Sequence, residues 1–305
     1  MSTIDYHLVD VFTKTKYGGN QLAVFLDFDD LANTNTMQSI AKELNFSEVS
    51  FIKKQLTENT FDVRIFTPEY EVPFAGHPTL GTAFVISKHI TKQPTPKLNI
   101  QLKHDTISVD IETISPIDDA ILTMTQAQPK FMETFDISAV AKGLNLNSNV
   151  IDASKPILEI STGLPYIIIP VINLEEMNQL NIKGGYFEGF LKTHQKHKTN
   201  SPSKLSTSLF FVTSETFDKS HNFNARMFCL EGGKVIEDAA TGSANGCFLA
   251  YLLKHESPKI SAIVEQGFQM NRKSFLYLNG TKSDSEYQIK VGGHVVDVGS
   301  GKWNI

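Results

Sequence analysis

The sequence predicts an α+β protein made of two similar domains, and three observations lead to this fold class. The chain has 305 residues, which is long for a single core, so two domains of about 150 residues each are expected. Segments with strand-like alternation are interspersed with segments of helical spacing. A series of strand, turn and helix also occurs twice in the same order, which indicates a duplicated domain.

The composition excludes several classes of protein. The chain is 41% hydrophobic and 20% charged, and its net charge of -5 gives no basic field for a nucleic acid. Residues 1–6 lack the pattern of a secretion signal, and the most apolar stretch, Tyr166–Ile172, is too short to span a bilayer. Two cysteines cannot build a disulfide framework or a zinc site by themselves. We expect a cytoplasmic protein that binds neither nucleic acid nor membrane.

In the first half, strands alternate with two helices. Met37, Ile40 and Leu44 recur at helical spacing, and Pro78 is a residue favoured in a first helical turn. The predicted strands are Leu8–Phe12, Gln21–Asp27, Phe46–Phe51, Phe61–Thr67 and Ala120–Met124, with a hairpin over Lys97–Ile114 and helices over Asn35–Leu44 and Pro78–His89.

The second half repeats this mixture, and we place the domain boundary between residues 125 and 126. The domains are then 1–125 and 126–305, with a possible return of the last strand to the first domain. The polar segment Thr193–Ser208 is expected to be a mobile surface loop. The predicted helices are Ile137–Leu144, Leu174–Leu180 and one that contains Cys247–Leu253, and the predicted strands are Tyr166–Val171, Leu209–Val212, Asn222–Cys229, Ile263–Met270, Ser274–Leu278 and Gln288–Val298.

The internal repeat is clearest before one helix in each half. Arg64-Ile-Phe-Thr-Pro precedes the turn Phe74–Gly81, and Arg226-Met-Phe-Cys-Leu precedes the turn Asp238–Gly246. Two such units related by a pseudo-twofold axis would direct both helix N-termini into one cleft. That cleft would suit an anionic substrate.

The repeat extends to glycines that precede equivalent strands. Gly19 precedes one apolar strand in the first half, and Gly163 precedes another in the second. The same alignment places His77 opposite Gly242. The repetition in one order, rather than any single match, is the reason for predicting a duplication.

The segment Glu237–Gly246 has two interpretations. Its small residues would let the backbone come close to a ligand, and Thr241 and Ser243 could cap the helix that follows. An acid beside such a helix start would suit an anion site. A plain capped helix would have the same sequence, so both interpretations stay open at this point.

Three side chains are candidates for acid–base chemistry. Glu48 lies in a strand with Phe46 and Phe51, where loss of solvent would raise its pKa and suit a group that takes and returns a proton. His77 could donate to a substrate oxygen, and Asp238 could orient His77 or contact an amine. The alternatives are a glutamate that reaches solvent, a histidine that satisfies turn backbone, and an acid that stabilises a helix start.

Several common sites are absent from the sequence. It contains no phosphate-binding loop, no dinucleotide-binding glycine fingerprint and no Gly-x-Ser-x-Gly nucleophile elbow. The nine histidines are scattered, and no spacing among them indicates a metal site. We therefore predict no metal.

Four motifs resemble those of the PhzF-like family of phenazine biosynthesis. They are Tyr17–Asn20, Asn45–Glu48, Phe74–Thr79 and Glu237–Ala244, in the order and spacing of that family. The resemblance covers essentially the whole chain. It implies a diaminopimelate-epimerase-like fold, in which each domain is a mixed sheet wrapped around a central helix and the active site lies in the cleft between domains.

The resemblance also implies a cofactor-independent isomerase that moves a proton between carbons of a small, cyclic carboxylate. We expect it to be a homodimer. The implied roles are acid–base catalysis by Glu48, assistance by His77 and Asp238, contacts to the substrate carboxylate from Gly76, Gly242 and Ser243, and lining of the cleft by Asn20.

Some positions depart from the family pattern and leave the substrate open. Gln21, Leu230 and Ala239 stand where the family usually has proline, and Asn271-Arg-Lys-Ser274 replaces Gly-Arg-Pro-Ser. None of these changes removes an implied catalytic group. We therefore do not carry the phenazine precursor over to this chain.

Two other functions were weighed on this fold. Racemases of this architecture use one cysteine from each domain, but the matching turn positions here are Ala75 and Ala239, while Cys229 and Cys247 both belong to the second half. A two-thiol mechanism is therefore disfavoured. The second alternative is a non-catalytic protein that binds a small molecule in the same cleft, and replacement of Glu48 by glutamine would distinguish it.

Overall fold

The computed structural model describes residues 2–92, 95–103, 105–112 and 116–305. The elements of the first half are β1 (Thr3–Val11), β2 (Asn20–Leu26), α1 (Thr34–Leu44), β3 (Glu48–Thr57), β4 (Thr60–Phe66), β5 (Glu71–Val72), α2 (Gly76–Val85), β6 (Lys97–Gln101), β7 (Thr106–Ile111) and β8 (Leu122–Thr125). A π-helical turn, Ile86–Thr91, continues α2.

The elements of the second half are β9 (Lys130–Phe135), α3 (Ile137–Leu144), β10 (Ile157–Ser161), β11 (Pro165–Pro170), α4 (Leu174–Gln179), α5 (Gly184–Thr193), β12 (Ser208–Thr213), β13 (Phe223–Glu231), β14 (Lys234–Asp238), α6 (Gly242–His255), β15 (Lys259–Gln266), β16 (Ser274–Ser283), β17 (Glu286–Gly293) and β18 (Val295–Asn304). Short 3₁₀ turns occur at Ile117–Asp119, Ser148–Val150 and Phe268–Met270.

The chain divides into two compact units. The first contains Met1–Thr125, Arg272–Phe275 and Lys290–Ile305, and the second contains Gln126–Asn271 and Leu276–Ile289. The C-terminal strand β18 thus belongs to the first unit, where it pairs with β1 along its length.

The sheet of the first unit wraps around α2. β1 lies between β18 and β2, β2 runs parallel to β3, and the order continues through β4, β6, β7 and β8. β8 then pairs with the last residues of β17, and only His294 separates β17 from β18. The two ends of the sheet therefore meet in one stretch of chain. All ten residues of α2 are buried, in contact with strands from around the sheet.

The second unit has the same plan. β9, β10 and β11 are successively antiparallel, β11 runs parallel to β12, β12 is antiparallel to β13, and β13 pairs with β14 and with β15. Its central helix is α6, which is buried from Gly242 to Leu253 and contacts β10, β11 and β15. The predicted fold class, two similar α+β domains with a central helix each, is confirmed.

The remaining helices cover the outside of each sheet. In α1, Met37, Ile40 and Ala41 pack against buried aromatic residues of β2 and β3, as the helical spacing predicts. In the second unit, the segment between β11 and β12 contains α4 and α5. None of the helices in the described part of the chain has the length and apolar character that crossing a membrane would require.

The repeat is visible in strand pairing and in a shared ion pair. Strands β1 to β6 pair in the same pattern and directions as β10 to β15. Arg64 forms two 2.8 Å hydrogen bonds to Glu71, and Arg226 forms two of the same length to Glu237. The two arginines that suggested the repeat in the sequence therefore hold equivalent positions.

The structure shifts one part of the sequence alignment by a residue. The hairpins before the two central helices have equivalent registers, and the helices begin at Gly76 and Gly242. His77 is therefore equivalent to Ser243 and not to Gly242. The glycines used for the sequence alignment lie inside the helices, where local packing rather than the helix start fixes them.

Other elements differ from the sequence prediction at their ends. The helix expected from Pro78 begins at Gly76, because its N-cap, Ala75, offers no polar side chain that could mark the start. The predicted hairpin is present as β6 and β7, and its expected end, Ile114, lies outside the described residues. Strands β9, β10 and β14 and helix α5 are not predicted by the sequence patterns.

The polar segment Thr193–Ser208 is a surface loop between α5 and β12, as predicted, but side-chain contacts attach it to β10, and its mobility stays a prediction. Lys196 Nζ lies 2.6 Å from Glu159 Oε2, and the Thr207 hydroxyl donates to Glu159 Oε1 over 2.9 Å. Glu159 itself is only 1% exposed, and His197 is also buried. The polar composition of the segment reflects a buried carboxylate on β10, a partner that the local sequence does not reveal.

Candidate active site

The start of α2 offers backbone donors. The N-cap residue Ala75 makes no side-chain capping bond, Pro78 has no N–H, and the Thr79 N–H donates to the Ala75 carbonyl. The N–H groups of Gly76 and His77 are therefore left at the positive end of the helix dipole, which is a suitable arrangement for an anion.

Glu48 and His77 lie side by side at this helix start. Glu48 is the first residue of β3, and the parallel pairing with β2 places it opposite Leu22. His77 Nδ1 is 3.5 Å from Glu48 Oε2. The glutamate side chain is 20% exposed and the histidine side chain 5%. A partly accessible carboxylate thus stands next to a buried imidazole.

The imidazole of His77 is neutral near pH 7. Burial lowers its pKa from 6.5 to about 3, and a hydrogen bond to the backbone of Gln21 opposes this only in part. His77 Nε2 is buried and makes no hydrogen bond within the described residues. A buried polar atom without a partner costs free energy. A bound substrate group could supply that partner.

Asn20 stands at the start of β2, beside the same strand pair. It is buried, and Gly19 before it has φ +62°, where an added Cβ would lie 2.3 Å from a backbone oxygen. Arg272 donates to the Gly19 carbonyl over 2.9 Å and to Asp10 over 2.6 Å, and Asp10 also accepts from the Tyr17 N–H. Arg272 and Asp10 fix this turn, and sequence reasoning did not assign them that role.

In the second unit, Asp238, Gly242 and Ser243 surround the start of α6. Thr241 is the N-cap residue, but its hydroxyl donates to Asp238 Oδ2 over 2.5 Å and makes no capping bond. The Ser243 hydroxyl lies 2.7 Å from the hydroxyl of Tyr166, whose buried ring sits on β11. The expected capping by Thr241 and Ser243 is therefore wrong, because both hydroxyls are engaged with side chains.

A buried glutamine holds the turn before α6. Gln266 Nε2 donates to the Asp238 carbonyl and to Thr241 Oγ1, both over 3.0 Å. Its Oε1 accepts from the Thr241 N–H and from Asn245 Nδ2. Every hydrogen-bonding group of this amide is used inside one turn, which fixes the backbone around Asp238. A glutamine at the end of a strand has no sequence signal for such a role.

Gly246 is needed for packing rather than for approach to a ligand. A Cβ on Gly246 would lie 1.8 Å from Gln126 Oε1. Gln126 Nε2 donates to the Gly242 carbonyl over 2.8 Å, and Gln126 Oε1 accepts from the Thr162 hydroxyl over 2.7 Å. Gly246 thus makes room for a buried amide, so the approach of a ligand is not what requires a small residue at this position.

The cysteines are not placed for a two-thiol mechanism. Cys229 lies on β13 and Cys247 inside α6, both in the second unit. Burial raises the pKa of the Cys247 thiol to about 12, so it is not a base near neutral pH. Ala75 and Ala239 stand at the turn positions, as the sequence indicates.

The structure brings together four of the predicted residues in one unit and three in the other. In the first unit, Glu48 and His77 adjoin at the helix start that Gly76 opens, and Asn20 begins the strand paired with that of Glu48. In the second unit, Asp238, Gly242 and Ser243 share the turn into α6. The joint action of the two groups on one substrate stays a prediction.

Comparisons with known proteins agree on one class of enzyme. An uncharacterized isomerase of Mesorhizobium japonicum is 31% identical over 319 residues, covering 99% of both chains. The trans-2,3-dihydro-3-hydroxyanthranilate isomerase of Pseudomonas fluorescens is 28% identical over 300 residues, covering 97% of this chain and 98% of that one. A solved PhzF-family structure from Bacillus anthracis covers 100% of both chains with 28% identity and a TM-score of 0.87.

These similarities confirm the prediction of an isomerase with a two-unit α+β fold. Within that class, the chain belongs to the family described as phenazine biosynthesis-like protein, whose sequence model matches residues 9–301. The family resemblance predicted from the four motifs is confirmed.

Proposed function

We propose that this isomerase moves a proton between two carbons of a small cyclic carboxylate, with Glu48 as the acid–base group. The observation that carries the proposal is the partly exposed Glu48 carboxylate, 3.5 Å from the neutral imidazole of His77 at the start of α2. A proton taken from one carbon and returned to another needs a group that serves as base and then as acid.

In the proposed reaction, the Glu48 carboxylate removes a proton from a carbon next to an unsaturated, electron-withdrawing part of the substrate. The electron pair of the broken C–H bond moves into the substrate. The protonated Glu48 then returns its proton to a different carbon, and the double bond is displaced. No electrons are gained or lost overall, so the step needs no redox partner.

Donors near Glu48 would stabilise the negative charge that develops on the substrate. The N–H groups of Gly76 and His77 lie at the helix start, and His77 Nε2 is a buried polar atom ready for a substrate partner. A positioned acid–base group contributes about 10²–10⁴ in rate. A single preorganised donor contributes about 10²–10³ in rate. We therefore propose that several donors act together with Glu48.

The residues of the second unit are proposed to bind the substrate. Gly242 opens α6, and the Ser243 hydroxyl and the Tyr166 hydroxyl form a polar pair within its first turn. This arrangement supports binding of a carboxylate, and Asp238 beside it supports a contact to an amine or hydroxyl group. The inter-domain cleft, the cytoplasmic location and the homodimer stay predictions.

The relatives support a proposal for the class of substrate but not for the exact compound. One relative is named for isomerising trans-2,3-dihydro-3-hydroxyanthranilate, a ring that carries carboxylate, amine and hydroxyl groups. For this chain we propose a cyclic acid with at least the carboxylate and one more polar group. Gln21 and Ala239 stand where the family usually has proline, so the ring substituents are expected to differ.

The proposal is tested by deuterium incorporation. The chain is incubated in D₂O with a panel of cyclic hydroxy and amino acids, including the named relative's substrate, and each compound is followed by NMR. We expect deuterium at one ring carbon, with the rate reduced at least about 10²-fold in Glu48→Gln. Glu43→Gln, which changes an exposed glutamate of α1, is the matched control and should retain the rate.

Two results would contradict the proposal. Equal exchange by wild type and Glu48→Gln would remove Glu48 from the chemistry. Binding of a panel member without exchange, unchanged in Glu48→Gln, would favour the non-catalytic binding protein.

A further inference from the structure

A second group of reactive side chains lies in the first unit, apart from the candidate active site. His7, His89 and Asp297 each offer a ligand atom, and these atoms lie within 4.8 Å of one another. They come from β1, from the π-helical turn after α2 and from β18. Because the three residues are far apart in the chain, sequence spacing could not reveal the group.

The three side chains are in direct contact. The rings of His7 and His89 stack with centroids 3.9 Å apart, and His89 Nε2 is 3.0 Å from Asp297 Oδ2. Within the described part of the chain, the ring nitrogens of His7 make no hydrogen bond. All three side chains are partly exposed, so the group is open to ions from solvent.

Two backbone irregularities occur at this group. His89 lies in the π-helical turn, and the pairing of β1 with β18 shifts between Leu8 and Val9, next to His7 and opposite Asp297. Single π-helical turns and β-bulges often occur at functional sites, since they change the direction in which side chains project. Here the π-helical turn contains His89, and the shifted pairing lies beside His7 and Asp297.

We propose that His7, His89 and Asp297 form a binding site for one divalent transition-metal ion such as zinc. Two imidazoles and a carboxylate are a suitable ligand set, with water in the remaining position. Zinc–nitrogen distances of about 2.0–2.1 Å require the two rings to tilt out of their stack so that both lone pairs converge. Their partial exposure leaves space for that movement.

Lys88 lies beside the proposed metal site and allows a test in which metal binding should become tighter. Its Nζ lies 2.7 Å from Asp297 Oδ2 and 2.6 Å from Asp118 Oδ1. Because Lys88 contacts Oδ2, the oxygen of Asp297 that we assign to the metal is Oδ1, which lies 3.3 Å from His89 Nε2. The positive charge of Lys88 also opposes a second cation nearby. Removal of that charge should therefore tighten metal binding, whereas removal of any ligand should weaken it.

The bound ion would connect three segments of the first unit. β1 and β18 are neighbouring strands, and the π-helical turn joins the central helix to the rest of the sheet. Each of the three segments supplies one ligand residue, so the ion binds the folded unit better than the unfolded chain. Bound metal should therefore raise the melting temperature. This role is independent of proton transfer at Glu48.

The test uses the full chain without a polyhistidine tag. Zinc chloride is titrated calorimetrically, and cobalt(II) is added separately to read its visible absorption, which reports ligand type and geometry. We expect one zinc per chain, a cobalt spectrum of mixed nitrogen and oxygen ligation, and a higher melting temperature with zinc. Affinity should fall at least about tenfold in His7→Ala, His89→Ala, His89→Gln and Asp297→Asn.

Two control variants complete the test. His255→Ala removes an exposed histidine from the second unit and should keep wild-type zinc affinity. Lys88→Gln should bind zinc more tightly. Melting temperatures measured without metal show that each variant is folded. The proposal is overturned if wild type shows no saturable binding, or if the four ligand variants bind zinc as well as wild type does.

Discussion

The imidazole of His77 lies in the first turn of α2, where burial and the helix dipole both oppose a positive charge. The side chain is therefore a neutral group, which can donate a hydrogen bond from one ring nitrogen and accept one at the other. Its neighbour Glu48 keeps partial access to solvent. The two residues thus have different electrostatic surroundings although they adjoin.

The burial of His77 predicts a pH dependence of stability. Its pKa is about 3 in the folded protein against 6.5 as a reference, so the unfolded chain takes up the proton first as pH falls. This residue alone should lower the free energy of unfolding by up to about 1.4 kcal/mol per pH unit between those values. In His77→Gln, urea unfolding from pH 7 to pH 4 should show a shallower fall.

A control for this prediction lies in the same helix. Thr82→Val changes another buried polar side chain of α2 without a titrating group, and it should keep the wild-type pH slope. An identical slope in wild type and His77→Gln would show that His77 is not the group responsible.

Gly246 gives a second prediction at this scale. Gly246→Ala should destabilise the protein by about 1–3 kcal/mol, since the new methyl group displaces the buried amide of Gln126. Gly189→Ala is the matched control, because nothing lies within 4 Å of the added Cβ on α5 and alanine favours a helix. Urea unfolding of both variants measures the difference. Equal stabilities would contradict the packing role of Gly246.

At the scale of elements, the clearest feature is the arginine–glutamate pair that each unit carries on its hairpin. Arg64 also contacts the ring of Phe66, and Arg226 the ring of Phe228, at 5.1 and 4.9 Å from the centroids. The second pair is more enclosed: the Arg226 side chain is 8% exposed and that of Arg64 28%. Each pair braces the hairpin that leads into its central helix.

The difference in burial predicts unequal costs. Arg226→Met leaves Glu237 without its partner and removes bonds to two backbone carbonyls at the end of α4, so we expect a loss of about 3 kcal/mol. Arg64→Met, at the more exposed pair, should cost about 1 kcal/mol. Guanidinium unfolding of the two variants tests the order, and a larger loss in Arg64→Met would refute the argument.

Sequence patterns predicted elements with a regular apolar pattern and missed some elements whose polar residues have remote partners. Helix α3 was predicted over its full length, because its apolar residues face one layer. Strand β10 was missed because the buried Glu159 interrupts its apolar run, and its partner Lys196 is distant in sequence. Gln266 and Gln126 escaped prediction for the same reason, since an amide shows its role only through its contacts.

At the scale of the whole molecule, three pieces of chain form the first unit. Residues up to Thr125 supply most of its sheet, and the C-terminal strand completes it against β1. The duplication itself could be predicted, because Arg64 and Arg226 and the two glycines before β2 and β11 mark equivalent points. The second unit contains residues on both sides of Arg272–Phe275. This arrangement could not be predicted, because no local sequence pattern indicates it.

The return of the C-terminal strand predicts the behaviour of fragments. A fragment of residues 1–125 should lack cooperative unfolding, because it leaves β1 and β8 without the strand stretch that joins the ends of their sheet. The same fragment linked through a flexible connector to residues 290–305 should regain it. Circular dichroism during thermal unfolding distinguishes the two, and a cooperative transition in the short fragment would be contrary to this account.

The pairing of β1 with β18 also has a consequence for biosynthesis. β1 is synthesised long before its partner β18, because Thr3 pairs with Asn304. One edge of β1 therefore stays open until β18 has been made, although β2 soon covers the other. An open strand edge can recruit strands of other nascent chains. Chaperone protection and the speed of late translation should thus influence the yield of this enzyme more than the inherent stability of either unit.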